Sequence, residues 1–146
     1  MFKILIPLDG SAEALAAVHH VLECVGAGMR VRCVLANVQE SASLYELVTA
    51  HDPEVLQRVA DEAGHDLLRP ALQLLAAAGV QVDTEVVQTG EVADALLDVA
   101  DRHGVNAIFM GAGAAGLADR VLGSVTIDLV QAAPVPVTVV RPRESA

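Results

Sequence analysis

Three glycines, Gly111, Gly113 and Gly116, form a G-x-G-x-x-G within MGAGAAGLADRVLGSVT, residues 110–126, and Gly123-Ser124 follows ten residues after Gly113. Glycine-rich turns that feed a helix suit phosphate, because backbone N–H groups can converge on an anion with no side chain in the way. A dinucleotide fingerprint of this form belongs at the first strand–helix junction, with an acid about 20 residues further on to hold the ribose. Here only 30 residues follow Gly116, and the last apolar run ends in Val140-Arg141, with no acid at its tip. The oxidoreductase reading fails on position. A P-loop fails on composition: lysine occurs once, at Lys3, and no Gly-Lys pair exists. Lys3 is therefore the sole lysine available to any phosphate or Schiff-base chemistry.

Other chemistries find less support. No G-x-S-x-G elbow marks a hydrolase nucleophile. His19 and His20 are adjacent and so point to different helix faces. His51, His65 and His103 are scattered, with no H-E-x-x-H, and no metal site is expected of them. Cys24 and Cys33 make no C-x-x-C pair and read as buried thiols, not as a disulfide or metal site. Glu54, Asp61, Glu62 and Asp66 read as one solvated helix face. Asp9, by contrast, stands alone at a strand tip, where it could cap the following helix or contact a ligand.

The elements that position these groups follow from the apolar pattern. KILIPL (3–8) reads as a buried strand stopped by Asp9-Gly10-Ser11. A helix follows from Ser11, with Ala14, Val18, Val21, Leu22 and Val25 on one face and Gly26 and Gly28 ending it. VRCVLANV (31–38) is a second strand; residues 39–51 read as a loop, with a possible helical turn at SLYELV. Asp52-Pro53-Glu54 starts a long helix with a capping acceptor, a proline at its first position and an acid against the dipole. Its apolar stripe is read as Val55, Val59, Ala63, Leu67, Ala71 and Leu75, continuing in phase across Pro70 as one kinked helix. VQVDTEVV (80–87) is a third strand. A helix from Gly90-Glu91 carries Val92, Leu96 and Val99 up to Gly104. NAIFMG (106–111), a helix over 124–132 and VPVTVV (135–140) complete the series.

Five apolar strands alternating with helices predict a single α/β domain over residues 1–146: a five-stranded, mostly parallel, doubly wound sheet with helices on both faces. In the order 3-2-1-4-5, the strand order reverses between strands one and four, and ligands bind beyond the carboxyl ends of the strands at that point. PLDGS (7–11) and MGAGAAG (110–116) would meet there. Asp9 and the glycine loop would then face one crevice, with phosphates at the helix start near Ser124 and the carboxylate for a ribose hydroxyl or a metal. That arrangement is a nucleotide site by geometry.

Bulk composition narrows the partners. Net charge is −10, which opposes nucleic acid and anionic membranes. Mean hydropathy is +0.49, yet no run approaches the roughly 18 apolar residues a bilayer span needs. The N-terminal MFKILIPLDG lacks a cleavage site and a long apolar core, so a cytoplasmic protein is expected. Hydrophobic residues make up 53% and aromatics 2%, so the core must consist of Ala, Val, Leu and Ile.

Taken together, these residues resemble the universal stress protein family over essentially the whole chain. The resemblance rests on Pro7-x-Asp9, GEVADALLDVA (90–100), the PVPVTVV ending, and a glycine motif after the fourth strand. Nucleotide-binding members carry G-x-x-G, nine residues, then Gly-Ser or Gly-Thr. Gly113 and Gly123-Ser124 match the second half, whereas Gly111-Ala112-Gly113 is one residue short of the first. The resemblance implies a stress-response protein binding ATP or AMP. Pro7, Leu8 and Val38 would line the adenine pocket, and Asp9 would approach the ribose or a bound Mg²⁺. Met110, Gly111 and Gly113 would wrap the sugar and phosphates, with Gly123, Ser124, Val125 and Thr126 at the phosphate end. Phosphate would depend on backbone N–H groups, the Ser124 and Thr126 hydroxyls, and Arg120. No acid–base pair stands out as catalytic, so at most slow ATP hydrolysis is expected. A homodimer through the last strand, Val135 to Val140, is implied as well. The alternative is a family member without nucleotide that serves as a dimeric interaction module, the shortened loop being its main support.

Overall fold

A computed structural model of the chain describes residues 1–40, 52–113 and 122–142. The expected turn at SLYELV, Arg120 and the 114–121 part of the glycine loop lie outside the described residues. Those residues form β1 (Phe2–Pro7), α1 (Ala12–Gly26), β2 (Val31–Gln39), α2 (Pro53–Ala77), β3 (Gln81–Gln88), α3 (Val92–His103), β4 (Ala107–Gly111), α4 (Ser124–Ala132) and β5 (Val137–Val140). The sheet runs β3-β2-β1-β4-β5 with every pairing parallel, as the strand pattern predicts. Ile4 stands opposite both Cys33 and Ala107, so β1 is central.

Both faces of the sheet are covered, which is why its central strands carry apolar residues pointing both ways. Ile4, Ile6, Cys33 and Leu35 point into one cluster with Val18 and Val21 of α1 and Leu68, Ala71 and Leu75 of α2. Leu5, Val34, Ala36 and Ile108 point the other way, onto Leu96 and Val99 of α3 and Leu129 of α4. Cys33 lies in the first cluster, where burial pushes its thiol pKa up to about 12 and keeps it protonated. Cys24 is half-buried, and neither cysteine is in a disulfide.

The long helix begins as the sequence indicates. Asp52 caps it by accepting from the Glu54 N–H at 3.0 Å, and it continues through Pro70 as one helix. Its buried face differs from the expected stripe. Val55, Val59 and Leu67 are exposed, as is Ala63, whereas Gly64, Leu68, Ala71 and Leu75 are buried. At Gly64 α2 packs tightly on the sheet. A Cβ there would stand 2.5 Å from Val86 Cγ1 and 3.0 Å from Asn37 Oδ1. Alanine gains about 1 kcal/mol in helix propensity, but valine is stiff at χ1 and cannot swing clear. Overpacking of this kind costs about 1–3 kcal/mol. Gly64→Ala is therefore expected to destabilise the fold by about 1 kcal/mol net, read from urea midpoints; a stabilised variant would contradict this packing.

At the amino ends of the strands, the sole lysine is structural. Lys3 Nζ donates to the His103 carbonyl at 2.8 Å, at the negative end of α3. Its backbone exchanges hydrogen bonds with Asn106, N–H to Oδ1 at 2.9 Å and carbonyl from N–H at 2.8 Å. Lys3 thus sits away from the strand tips and serves no phosphate there.

Glu85 of β3 binds the same helix end, accepting from Arg102 and meeting His103 Nε2 at 2.7 Å. Burial alone would raise its pKa, but the His103 and Arg102 hydrogen bonds and charges outweigh that and hold it below its ordinary 4.5. A carboxylate with a depressed folded pKa stabilises the fold above the unfolded value and loses that stabilisation as pH falls through the folded one. Wild type is expected to lose about 1 kcal/mol relative to Glu85→Gln between about pH 5 and pH 3, the size of a half-exposed ion pair. Parallel acid unfolding curves for the two proteins would show the pair to be idle.

Candidate functional site at the strand-order reversal

β1 has β2 on one side and β4 on the other, so its carboxyl end is where the strand order reverses. A cavity of about 430 Å³ opens there, within the range of small-ligand sites. The sequence-predicted residues Pro7, Leu8, Asp9, Val38, Met110, Gly111, Gly113, Gly123, Ser124, Val125 and Thr126 all line it. Ser11, Ala14, Ala36, Glu40, Val92, Leu96 and Leu122 also line it, and sequence reasoning had not placed them there. Val92 and Leu96 were legible as an apolar helix stripe, but nothing in their spacing says that the stripe reaches a cavity.

One part of the lining is apolar and continuous with the core. Ala36, Leu96 and Met110 are buried in the cluster against which Val38, Val92 and Val125 pack. The β1 tip is held over this floor by β2. The Leu8 N–H donates to the Ala36 carbonyl at 2.9 Å, and Asn37 Nδ2 donates to the Leu8 carbonyl at 2.8 Å. Asn37 is 2% exposed, and its Oδ1 accepts from Gln39 Nε2 at 2.7 Å, so both ends of its amide are satisfied. A polar residue inside the otherwise apolar stretch CVLANV (33–38) was the signal that could have found it.

The turn after β1 divides the capping work between two residues. Ser11 caps α1, its Oγ accepting from the Ala14 N–H at 3.1 Å, so Asp9 is not the helix cap. Asp9 Oδ1 instead accepts from the Ser11 N–H at 2.9 Å. Its second oxygen has no hydrogen-bond partner among the described residues, and the residue is exposed. The carboxylate is therefore placed by its own turn and remains available to a hydroxyl or cation.

The opposite side of the cavity is built from two backbone limbs in contact. Gly111 ends β4 against the first turn of α1; a Cβ there would lie 2.4 Å from the Glu13 carbonyl oxygen. Gly113 has φ +92°, and its Cβ would lie 2.8 Å from Gly123 Cα. The Gly123 N–H donates to the Ala112 carbonyl at 2.8 Å, closing the limbs on each other. Gly123 is also the N-cap of α4, and no side chain caps that helix. The N–H groups of Ser124, Val125 and Thr126 have no intrahelical acceptor and carry the positive end of the helix dipole. Thr126 is 2% exposed and its hydroxyl donates to the Gly111 carbonyl at 3.1 Å. In this structure the hydroxyl expected to serve phosphate is engaged with the Gly111 carbonyl. Among the described residues no group of three or more His, Cys, Asp and Glu is arranged to hold a metal ion, and no helix is long and apolar enough to cross a membrane.

A family model described as "Universal stress protein family" matches residues 1–141. The chain belongs to the universal stress protein family. The universal stress protein YxiE of Bacillus subtilis is 32% identical over 146 aligned positions, spanning 95% of this chain and 98% of YxiE. The solved structure of the protein MJ0577 superposes with a TM-score of 0.80 at 26% identity, covering 99% of this chain and 98% of that one. A universal stress protein family protein from Arabidopsis thaliana, solved with AMP bound, shares the fold at a TM-score of 0.71 and 18% identity, with 98% and 93% covered. The family match spans both halves of the cavity, from the β1 tip to the β5 strand.

Proposed function

We propose that this universal stress protein is a cytoplasmic stress-response protein that binds an adenine nucleotide, AMP or ATP, in the cavity at the strand-order reversal. It acts by nucleotide-dependent signalling or partner binding, as a homodimer. The observation that carries the reading is the pairing of an apolar floor with an uncapped helix N-terminus across one cavity. A nucleotide needs both, since the base seeks apolar burial and the phosphate seeks converging N–H donors. The AMP-bound Arabidopsis relative supports the choice of ligand at the level of fold.

The base would lie against Val38, Leu96 and Met110, and Asp9 would meet a ribose hydroxyl. Gly113 and the first turn of α4 would hold phosphate through N–H groups. Mg²⁺ is usually held by one or two carboxylates together with substrate phosphates. Asp9 fits that role only alongside a bound nucleotide. No side chain stands out as a general base, so the protein is read as a binder, with at most slow hydrolysis of ATP. The glycine segment that is one residue short favours one alternative, a dimeric interaction module that has lost the nucleotide.

Affinity for the two nucleotides tests the reading. The shortened segment offers one N–H fewer, and Ala112 offers no polar side chain. A hydrogen bond to a charged group contributes about 1.5–3 kcal/mol, so its absence lowers triphosphate preference roughly ten- to hundredfold. Titration calorimetry is expected to find AMP and Mg-ATP binding within about tenfold of each other. No heat with either ligand at millimolar concentration would leave the interaction-module reading standing.

A further inference from the structure

The strongest unexplained feature of the cavity is a buried hydroxyl that faces a backbone carbonyl instead of the space where phosphate would lie. Thr126 occupies the first turn of α4, yet its Oγ1 donates to Gly111, fifteen residues earlier in the chain. Together with the Ala112–Gly123 hydrogen bond and the Gly113–Gly123 backbone contact, this ties the end of β4 to the start of α4 at three points.

We propose that Thr126 is a positioning residue for phosphate: its hydroxyl latches the Gly111 carbonyl and so fixes the uncapped first turn of α4 against the glycine limb. The inference rests on the nucleotide reading above. In a glycine segment one residue short, the limb spans the cavity edge with less chain. The latch then sets how closely the free N–H groups of Ser124 and Val125 approach a phosphate. Thr126 itself gives the ligand no donor. Without the hydroxyl, the Gly111 carbonyl is left unsatisfied in a buried position, and the two limbs are freed to part. Base and ribose contacts come from Leu8, Asp9, Val38 and Met110, which the latch does not touch. Loss of the latch therefore weakens phosphate-bearing ligands selectively.

The test compares wild type, Thr126→Val and Thr126→Ser, titrated with adenosine and with AMP, alongside hydrogen exchange of the ligand-free proteins. Thr126→Val is expected to bind adenosine within about twofold of wild type and AMP at least about tenfold more weakly. Its Gly123 amide is expected to exchange at least about tenfold faster before any ligand is added. Thr126→Ser restores both readouts. A direct phosphate ligand would leave Gly123 exchange unchanged in the ligand-free variant, and that result overturns the latch. So does equal weakening of adenosine and AMP, or unweakened AMP. If Thr126→Val melts too low to titrate, Thr126→Cys, of similar volume and a weak donor, is read by the same criteria. A wild type that binds neither ligand ends the nucleotide reading and the latch with it.

Discussion

Gly113→Val is expected to abolish nucleotide binding, with no calorimetric heat from AMP or Mg-ATP at millimolar concentration. Two physical effects act at this residue. The backbone sits at φ +92°, which L side chains rarely adopt. A Cβ would also stand 2.8 Å from Gly123 Cα and 2.9 Å from its nitrogen, and backbone cannot rotate away as a side chain can. The limb must then lift from α4, breaking the Ala112–Gly123 hydrogen bond and separating the donors that a phosphate needs. On sequence grounds such a variant would only obstruct the phosphate path; the contact with Gly123 shows that it must also deform the limb. The cost in stability is about 1–3 kcal/mol for strain of this kind, so the variant should fold and retain its circular dichroism spectrum. AMP binding within tenfold of wild type would contradict this account of the glycine limb.

Val139→Asp is expected to convert a homodimer into a monomer, read by light scattering at tens of micromolar. β5 is the sheet edge and pairs only with β4. An unprotected apolar edge is a template for a second copy, and a two-fold axis would set two such strands against each other. Val137 is the obvious site for a disrupting charge, but it packs with Val135 against the α3–α4 cluster, and Val140 packs against the α1–α2 cluster. A charge at either would damage the fold. Val139 is half-buried and belongs to neither cluster, so a carboxylate there acts mainly on the edge. Desolvating one unpaired carboxylate per protomer costs several kcal/mol, enough to dissociate a dimer of ordinary affinity. A wild type with the mass of one chain contradicts the dimer, and a dimeric Val139→Asp contradicts its placement on β5.

The sheet order and most of the cavity lining were legible because both depend on coarse features. Apolar runs such as KILIPL and VRCVLANV mark strands buried on both faces, and the turn residues after them lie at the strand tips where ligands gather. Four finer features were not legible. A stripe at every fourth residue drifts by about 40° per step around a helix of 3.6 residues per turn. The reading from Val55 to Leu75 is therefore right at Ala71 and Leu75 and wrong at Val55, Val59, Ala63 and Leu67. Gly64 falls outside the apolar stripe, and its meaning lies in Val86 across the interface. The division of labour at the β1 tip, with Ser11 capping and Asp9 bracing the turn, depends on backbone angles that residue types leave open. The start of β5 moved from Val135 to Val137 for a local reason. Pro134 and Pro136 lack N–H donors, so the strand's own donors begin beyond them, with the Pro136 carbonyl already accepting from the Ile108 N–H at 2.9 Å.

Amide-resolved NMR spectra of the full chain, titrated with AMP to millimolar concentration, test the central claim most directly. Binding in the cavity is expected to shift the signals of Leu8, Asp9, Val38, Gly113, Ser124 and Val125 in a saturable way, while those of Gly64 and Val86 stay in place. A spectrum that does not change, or saturable shifts confined to surfaces away from the β1 and β4 tips, would contradict it.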